Sequence, residues 1–124
     1  MQATWNLLEP SAGPALAQAS QAGWGVIIKE AVANGRLTPH GHANHILTRI
    51  AARHGVGVDA VAIAAVLANP WADVVLSGAV TPAQLESNLA ATRLELDPDE
   101  LEQLSTLAEP PDRYWQERAT LPWD

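Results

Sequence analysis

Ser77-Gly78-Ala79-Val80-Thr81-Pro82-Ala83-Gln84 is the stretch of this chain best suited to holding a ligand. Thr81 is a good helix N-cap, Pro82 fits the first helical position, and Gln84 completes a capping box. Val74-Val75-Leu76, just upstream, is a β-branched apolar run that reads as a short buried strand. A strand that delivers the chain through a glycine turn into a helix start leaves backbone N–H groups directed outward, where an anion binds readily. Such a turn lies at the C-terminal end of its strand, the end at which α/β proteins keep their ligand sites.

Other candidate chemistry is weaker. His40, His42 and His45 suggest a metal, but a helix beginning at Ala43 would not put His42 and His45 on one well-defined face. A histidine-bearing surface loop is the better reading, and no metal site is expected. No serine sits in a G-x-S-x-G elbow, so a serine nucleophile is unsupported. The sequence has no cysteine, which excludes disulfides, thiolate ligands and a thiol nucleophile. That usage fits a cytoplasmic protein. The acidic stretch Glu95 to Glu102 reads as a solvated helix start favoured by the helix dipole.

The elements that would position the Ser77–Asn88 turn repeat one theme. Gln2 to Leu8 reads as a strand, Ala15 to Gln21 as a helix ended by Gly23, and Gly25 to Lys29 as a second strand. A helix between two such strands is a βαβ unit with parallel strands and a right-handed crossover. Glu30 to Gly41 is a long loop. Ala43 to Arg53 is an amphipathic helix with Ile46, Leu47, Ile50 and Ala51 on its apolar stripe. Asp59 to Ala68 is apolar almost all round and should be buried between neighbours. After Val74–Leu76 comes the capped helix, with Leu85 and Leu89 as its inner face. Asp97-Pro98-Asp99-Glu100 starts a further helix carrying Leu101, Leu104 and Leu107, and Pro110-Pro111 stops it. The tail from Tyr114 to Trp123 shows no period.

The fold class is therefore α/β. A length of 124 residues suits one ordinary domain and is too short for a complete large barrel. A net charge of −7 without a Lys/Arg cluster argues against nucleic acid and anionic membranes as partners. The most apolar segment, Val58 to Ala68, is too short to span a bilayer. Three parallel strands make a poor sheet alone, because both outer strands carry unpaired backbone groups. The expectation is self-association, or membership of something larger.

Three segments, in order and spacing, resemble the C-terminal part of the aldo-keto reductases, in the branch with the potassium-channel beta subunits and many bacterial reductases. Gln2 to Glu9 resembles the sixth barrel strand, Lys29 to Gly35 the segment after the seventh, and Ser77-Gly78-Ala79 with Thr81, Gln84 and Asn88 the eighth strand and its helix. The resemblance implies a partial (β/α)8 TIM barrel over residues 1–124, with the sixth to eighth strands, their helices and an extra C-terminal helix. It implies a nicotinamide cofactor, NADP by family habit, with NAD left open because no Arg or Lys occurs from Gly78 to Asn88. It implies that Gln2 meets the nicotinamide carboxamide, that Lys29 stands where relatives carry a stacking aromatic, and that Glu30 to Asn34 line the pyrophosphate. Glu30 departs from a common serine, and its charge would disfavour phosphate. Gly78 and Ala79 would let the backbone approach the ligand, Val80 replaces a serine at the ribose phosphate, and Gln84 lies near the adenosine phosphate. Ser87 replaces a common glutamate, and Asn88 matches a residue that binds adenine. The family's catalytic Asp, Tyr, Lys and His lie in the first half of the barrel, and none aligns with a residue here. The chain is thus expected to bind cofactor without catalysing alone. The alternative is a non-catalytic module that pairs through exposed strand edges, with a missing N-terminal half-barrel or a second copy as partner.

Overall fold

The computed structural model describes residues 1–41 and 44–122. Three short parallel strands form one sheet in the order β1-β2-β3: β1 (Gln2–Thr4), β2 (Ile27–Lys29) and β3 (Val74–Val75). Among the described residues, six α-helices accompany them: α1 (Gly13–Gln21), α2 (His45–His54), α3 (Val58–Leu67), α4 (Pro82–Leu89), α5 (Pro98–Ser105) and α6 (Pro111–Ala119). A 3-10 turn, Ala90–Arg93, follows α4. The α/β class and the parallel βαβ arrangement are as the sequence implies. Among the described residues, no single helix is long and apolar enough to cross a membrane.

Helix α3 is the structural centre. Every residue from Asp59 to Val66 is buried. Its Val61, Ala62 and Ala65 pack with Leu47 and Ile50 of α2, with Leu104 and with Tyr114. Its Ile63, Ala64 and Val66 pack with Leu16, Val26, Ile28 and Trp71. A helix clamped between two apolar clusters needs no wet face, which explains why its sequence shows no amphipathic period. The alanines keep it slim, so helices and sheet approach closely.

Several boundaries differ from the sequence reading, each for a local reason. The first strand ends at Thr4 rather than Leu8, because Asn6 turns the chain. Its Oδ1 accepts from Leu8 N at 2.9 Å and from Glu9 N at 3.0 Å. Leu7 and Leu8 then enter the α2–α6 cluster instead of continuing the sheet. The second strand starts at Ile27, since Val26 N donates to Asp73 Oδ2 at 2.8 Å instead of to a neighbouring strand. The third run is not buried: Val74 and Leu76 are 48% and 45% exposed, because β3 is the edge of the sheet. Leu85 and Leu89, read as an inner face, are likewise exposed, and α4 buries no residue. Helix α2 begins at His45 with Asn44 as N-cap, while His42 and Ala43 lie outside the described residues. Asn44 Oδ1 accepts from Leu47 N at 3.0 Å.

The capping box of α5 forms as read, with Glu100 N on Asp97 Oδ1 at 2.7 Å and Asp97 N on Glu100 Oε1 at 3.0 Å. Glu100 itself is not solvated. It is 1% exposed, and its Oε2 meets His54 Nε2 at 2.8 Å, so the helix start is also the dock between α5 and α2. The aperiodic tail is a helix over Pro111–Ala119, which sequence reading missed. Only Tyr114 of α6 is buried, so no apolar stripe announces it. Polar tertiary bonds hold it. Trp123 lies outside the described residues.

Asn6 is fully buried and uses both ends of its amide. Besides the two bonds to Oδ1, its Nδ2 donates to the Glu30 carbonyl at 2.9 Å and to Tyr114 Oη at 3.0 Å. Replacing it by alanine strands buried donors and acceptors from three separate segments. Asn6→Ala should therefore lower the unfolding free energy by about 2–4 kcal/mol in a urea titration monitored by circular dichroism. A loss of less than about 0.5 kcal/mol would show that the joint is not structural.

Candidate functional site

The connections that leave the C-terminal ends of β2 and β3 face each other across a groove of about 1040 Å³. One wall is the loop from Glu30 to Gly41, the other runs from Leu76 through the start of α4, and Asp59 and Ile63 of α3 form the floor. Of the residues singled out in the sequence, Glu30, Gly78, Ala79, Val80, Gln84, Ser87 and Asn88 line this groove. Gln2 and Lys29 do not: both are exposed strand residues outside it.

The first wall is held in an unusual conformation. Glu30, Ala33 and Asn34 have φ of 59°, 53° and 57°, a left-handed region that costs non-glycine residues roughly 1–2 kcal/mol each. Only Asn34 belongs to a type that enters it easily. Gly35, at φ 92°, completes the turn. The Glu30 carbonyl accepts from Asn6 Nδ2 and, at 2.9 Å, from Ala33 N, and the Ala33 side chain is fully buried. Arg36 anchors the next turn by a bidentate pair to Glu109 at 3.0 and 2.6 Å, and reaches Glu117 at 3.0 Å.

The second wall is held by exposed hydrogen bonds within its own turn. Thr81 Oγ1 accepts from Gln84 N at 3.1 Å, as an N-cap should. Gln84 does not close the box on Thr81. Its Oε1 accepts from Val80 N at 2.9 Å, one residue earlier. Ala79 N donates to Ser77 Oγ at 3.2 Å. The N–H groups of Ala79, Val80 and Gln84 therefore already have side-chain partners from the chain itself. Gly78 is different. Its φ is ordinary and a Cβ built on it would meet nothing within 4 Å, so no internal constraint calls for glycine there.

Asp59 joins floor to wall. Ser87 Oγ donates to Asp59 Oδ1 at 2.9 Å. A carboxylate only accepts, so the Asn88 amide turns its nitrogen to Asp59 Oδ2 at 2.7 Å, and its oxygen accepts from Ser77 Oγ at 2.6 Å. Asn88 thus has partners within the protein, which the sequence reading did not foresee. Asp59 was missed as well. A lone charge in an otherwise apolar helix was the signal that could have found it.

The groove is electrostatically mixed. Burial alone would raise the Glu30 carboxyl, but hydrogen bonding and charge from Arg118, with help from Asn34 and Tyr114, hold it below the ordinary value. Arg36 is raised, chiefly by its hydrogen bonds to Glu109, and Glu109 is lowered by the same contact. Burial pushes the Tyr114 hydroxyl up. His40 lines the groove, and among the described residues no group of three or more His, Asp or Glu is placed to hold a metal ion.

With this geometry in view, the relatives become informative. The sequence matches the Aldo/keto reductase family over residues 2–109, and the chain belongs to that family. No curated protein matches it. Among solved structures, a putative 2,5-diketo-D-gluconic acid reductase B superposes with a TM-score of 0.77 at 28% identity, covering 88% of this chain and 37% of that one. A mutant of Gox0644 in complex with NADPH superposes with a TM-score of 0.75 at 17% identity, over 98% of this chain and 42% of that one. The aldose reductase from Schistosoma japonicum gives 0.72 at 22% identity, over 88% of this chain and 34% of that one. The chain thus spans well under half the length of these structures, and its three strands with their helices correspond to part of an aldo-keto reductase TIM barrel.

Glu30 and Glu109 both have folded-state values below their unfolded ones. Their stabilisation is present above the unfolded carboxyl value, about pH 4.3, and is lost as pH falls through the lower folded values. Thermal melts should therefore show stability dropping steeply below about pH 4, and the drop should be smaller in Glu30→Gln. Identical acid profiles for the two proteins would contradict this.

Proposed function

We propose that this chain forms the part of an NADP-dependent aldo-keto reductase that grips the adenosine and phosphate end of the cofactor. The observation that carries the reading is the shared groove. Two connections separated by some forty residues of sequence converge at the C-terminal ends of adjacent parallel strands, where such folds bind ligands. The residues fit the group. Gly78 leaves open space where a side chain would stand, so a ligand can come against the backbone. Ser77, Gln84 and Asn88 offer polar atoms along the same wall. A reduced nicotinamide supplies a hydride to a carbonyl carbon. We assign this chain the binding and orientation of that cofactor rather than proton transfer, because none of its residues matches the family's catalytic Asp, Tyr, Lys and His. The preference for NADP over NAD rests on family likeness, since Arg36, which lines the groove, is engaged by Glu109 and Glu117. A single partial domain of the branch with the potassium-channel beta subunits, working in the cytoplasm, is the setting we favour.

Fluorescence titration with NADPH tests this directly. The wild-type chain should bind, and Gly78→Val should weaken binding by about tenfold or more while its melting temperature stays unchanged. Equal binding by both proteins would overturn the assignment of Gly78, and no binding by wild type would overturn the reading of the groove.

A second reading has its own support. β1 and β3 each have one strand neighbour, and the β3 edge carries exposed Val74 and Leu76, with Val80, Leu85 and Leu89 exposed beyond it. Such an edge pairs readily with another chain. Light scattering should then show a concentration-dependent dimer that a Val74→Lys substitution abolishes. A monomer at every concentration would remove this alternative.

A further inference from the structure

Glu30 lines a groove read as a phosphate site. Its side chain is only 11% exposed. Both its oxygens accept from Arg118 Nε, at 2.9 and 3.0 Å, and Arg118 Nη2 adds a further bond to Oε1. Asn34 Nδ2 and Tyr114 Oη donate to Oε2, each at 3.3 Å. Arg118 and Tyr114 are not among the residues that line the groove. They belong to α6, which lies beyond the part of the chain that matches the family.

We infer that Arg118 is a positioning and charge-compensating residue for ligand binding: it holds the Glu30 carboxylate as an ion pair on the α6 side of the loop, so that a dinucleotide's phosphates can lie along the loop without meeting a bare negative charge. This rests on the proposed cofactor reading. The chemistry is simple. An uncompensated carboxylate a few ångströms from a pyrophosphate opposes it strongly where water is partly excluded. A planar guanidinium matched to both carboxylate oxygens cancels that charge and also fixes the direction of the side chain. Tyr114, held by Asn6, completes the seat, so the carboxylate has donors on the α6 side and little reason to swing toward the groove.

NADPH titration of four variants tests it, each checked for folding by circular dichroism. Arg118→Gln should weaken NADPH binding about tenfold at low salt, and the loss should shrink at about 1 M salt. Arg118→Lys should keep most of the affinity. The double substitution E30Q/R118Q, which removes both charges together, should return to within about twofold of wild type. A structural role alone would not make the loss of affinity shrink with added salt. The inference fails if Arg118→Gln binds as wild type does, or if the double variant stays as weak as Arg118→Gln. Should Arg118→Gln not fold, the double variant decides alone: near-wild-type affinity supports compensation, and binding tenfold tighter or weaker overturns it. Wild type that binds no NADPH at all sinks the groove reading itself, a separate outcome from the others.

Discussion

The buried amide of Asn6 is the joint on which the site side of the molecule turns. It ends β1, fixes the carbonyl of Glu30 at the end of β2, and binds the hydroxyl of Tyr114 in α6. Three segments far apart in sequence thus meet at one side chain shielded from water. Shielding gives the bonds their value, because each partner stranded in the interior would lose its hydration without replacement. The strained loop that forms one wall of the groove follows from this joint. Left-handed Glu30 and Ala33 would relax if their carbonyl and side-chain anchors were absent.

The opposite wall is built on another principle. Helix α4 buries no side chain, so packing alone does not hold it. A polar cluster does that work: Asp59 takes Ser87 and Asn88, and Asn88 takes Ser77. Asp59 sits in the first turn of α3, where a carboxylate also meets the favourable end of the helix dipole. The groove therefore has one wall fixed by buried bonds to α6 and one fixed by a partly exposed cluster to α3. The second carries Gly78 and Val80, both exposed.

Helix α6 changes how the chain's charge is read. With a net charge of −7, the protein looks ill suited to a phosphate-bearing ligand. Two of its few cations are spent at this place, Arg36 on Glu109 and Glu117, and Arg118 on Glu30. Local compensation matters more than the total, because a pair in contact is screened far less than distant surface charges.

By itself the sequence determined the parallel α/β class, the buried character of α3, the capping box at Asp97 and Glu100, and membership of its family, since these follow from local spacing and from order along the chain. It also brought forward Glu30, Gly78, Ala79, Val80, Gln84, Ser87 and Asn88, which line the groove. What it left undecided depends on who sits next to whom. Leu85 and Leu89 have the spacing of an inner face, yet they are exposed because nothing among the described residues covers them. Glu100 looks like a surface cap, yet it is buried because α2 lies over it. The α6 helix has no apolar stripe, and its partners elsewhere in the fold make it worth forming: Trp115 Nε1 donates to Glu9 Oε2 at 2.6 Å, Arg118 pairs with Glu30, Glu117 meets Arg36, and Tyr114 packs into the core. Burial, pairing and charge compensation are properties of neighbours, and neighbours are chosen only when the chain folds.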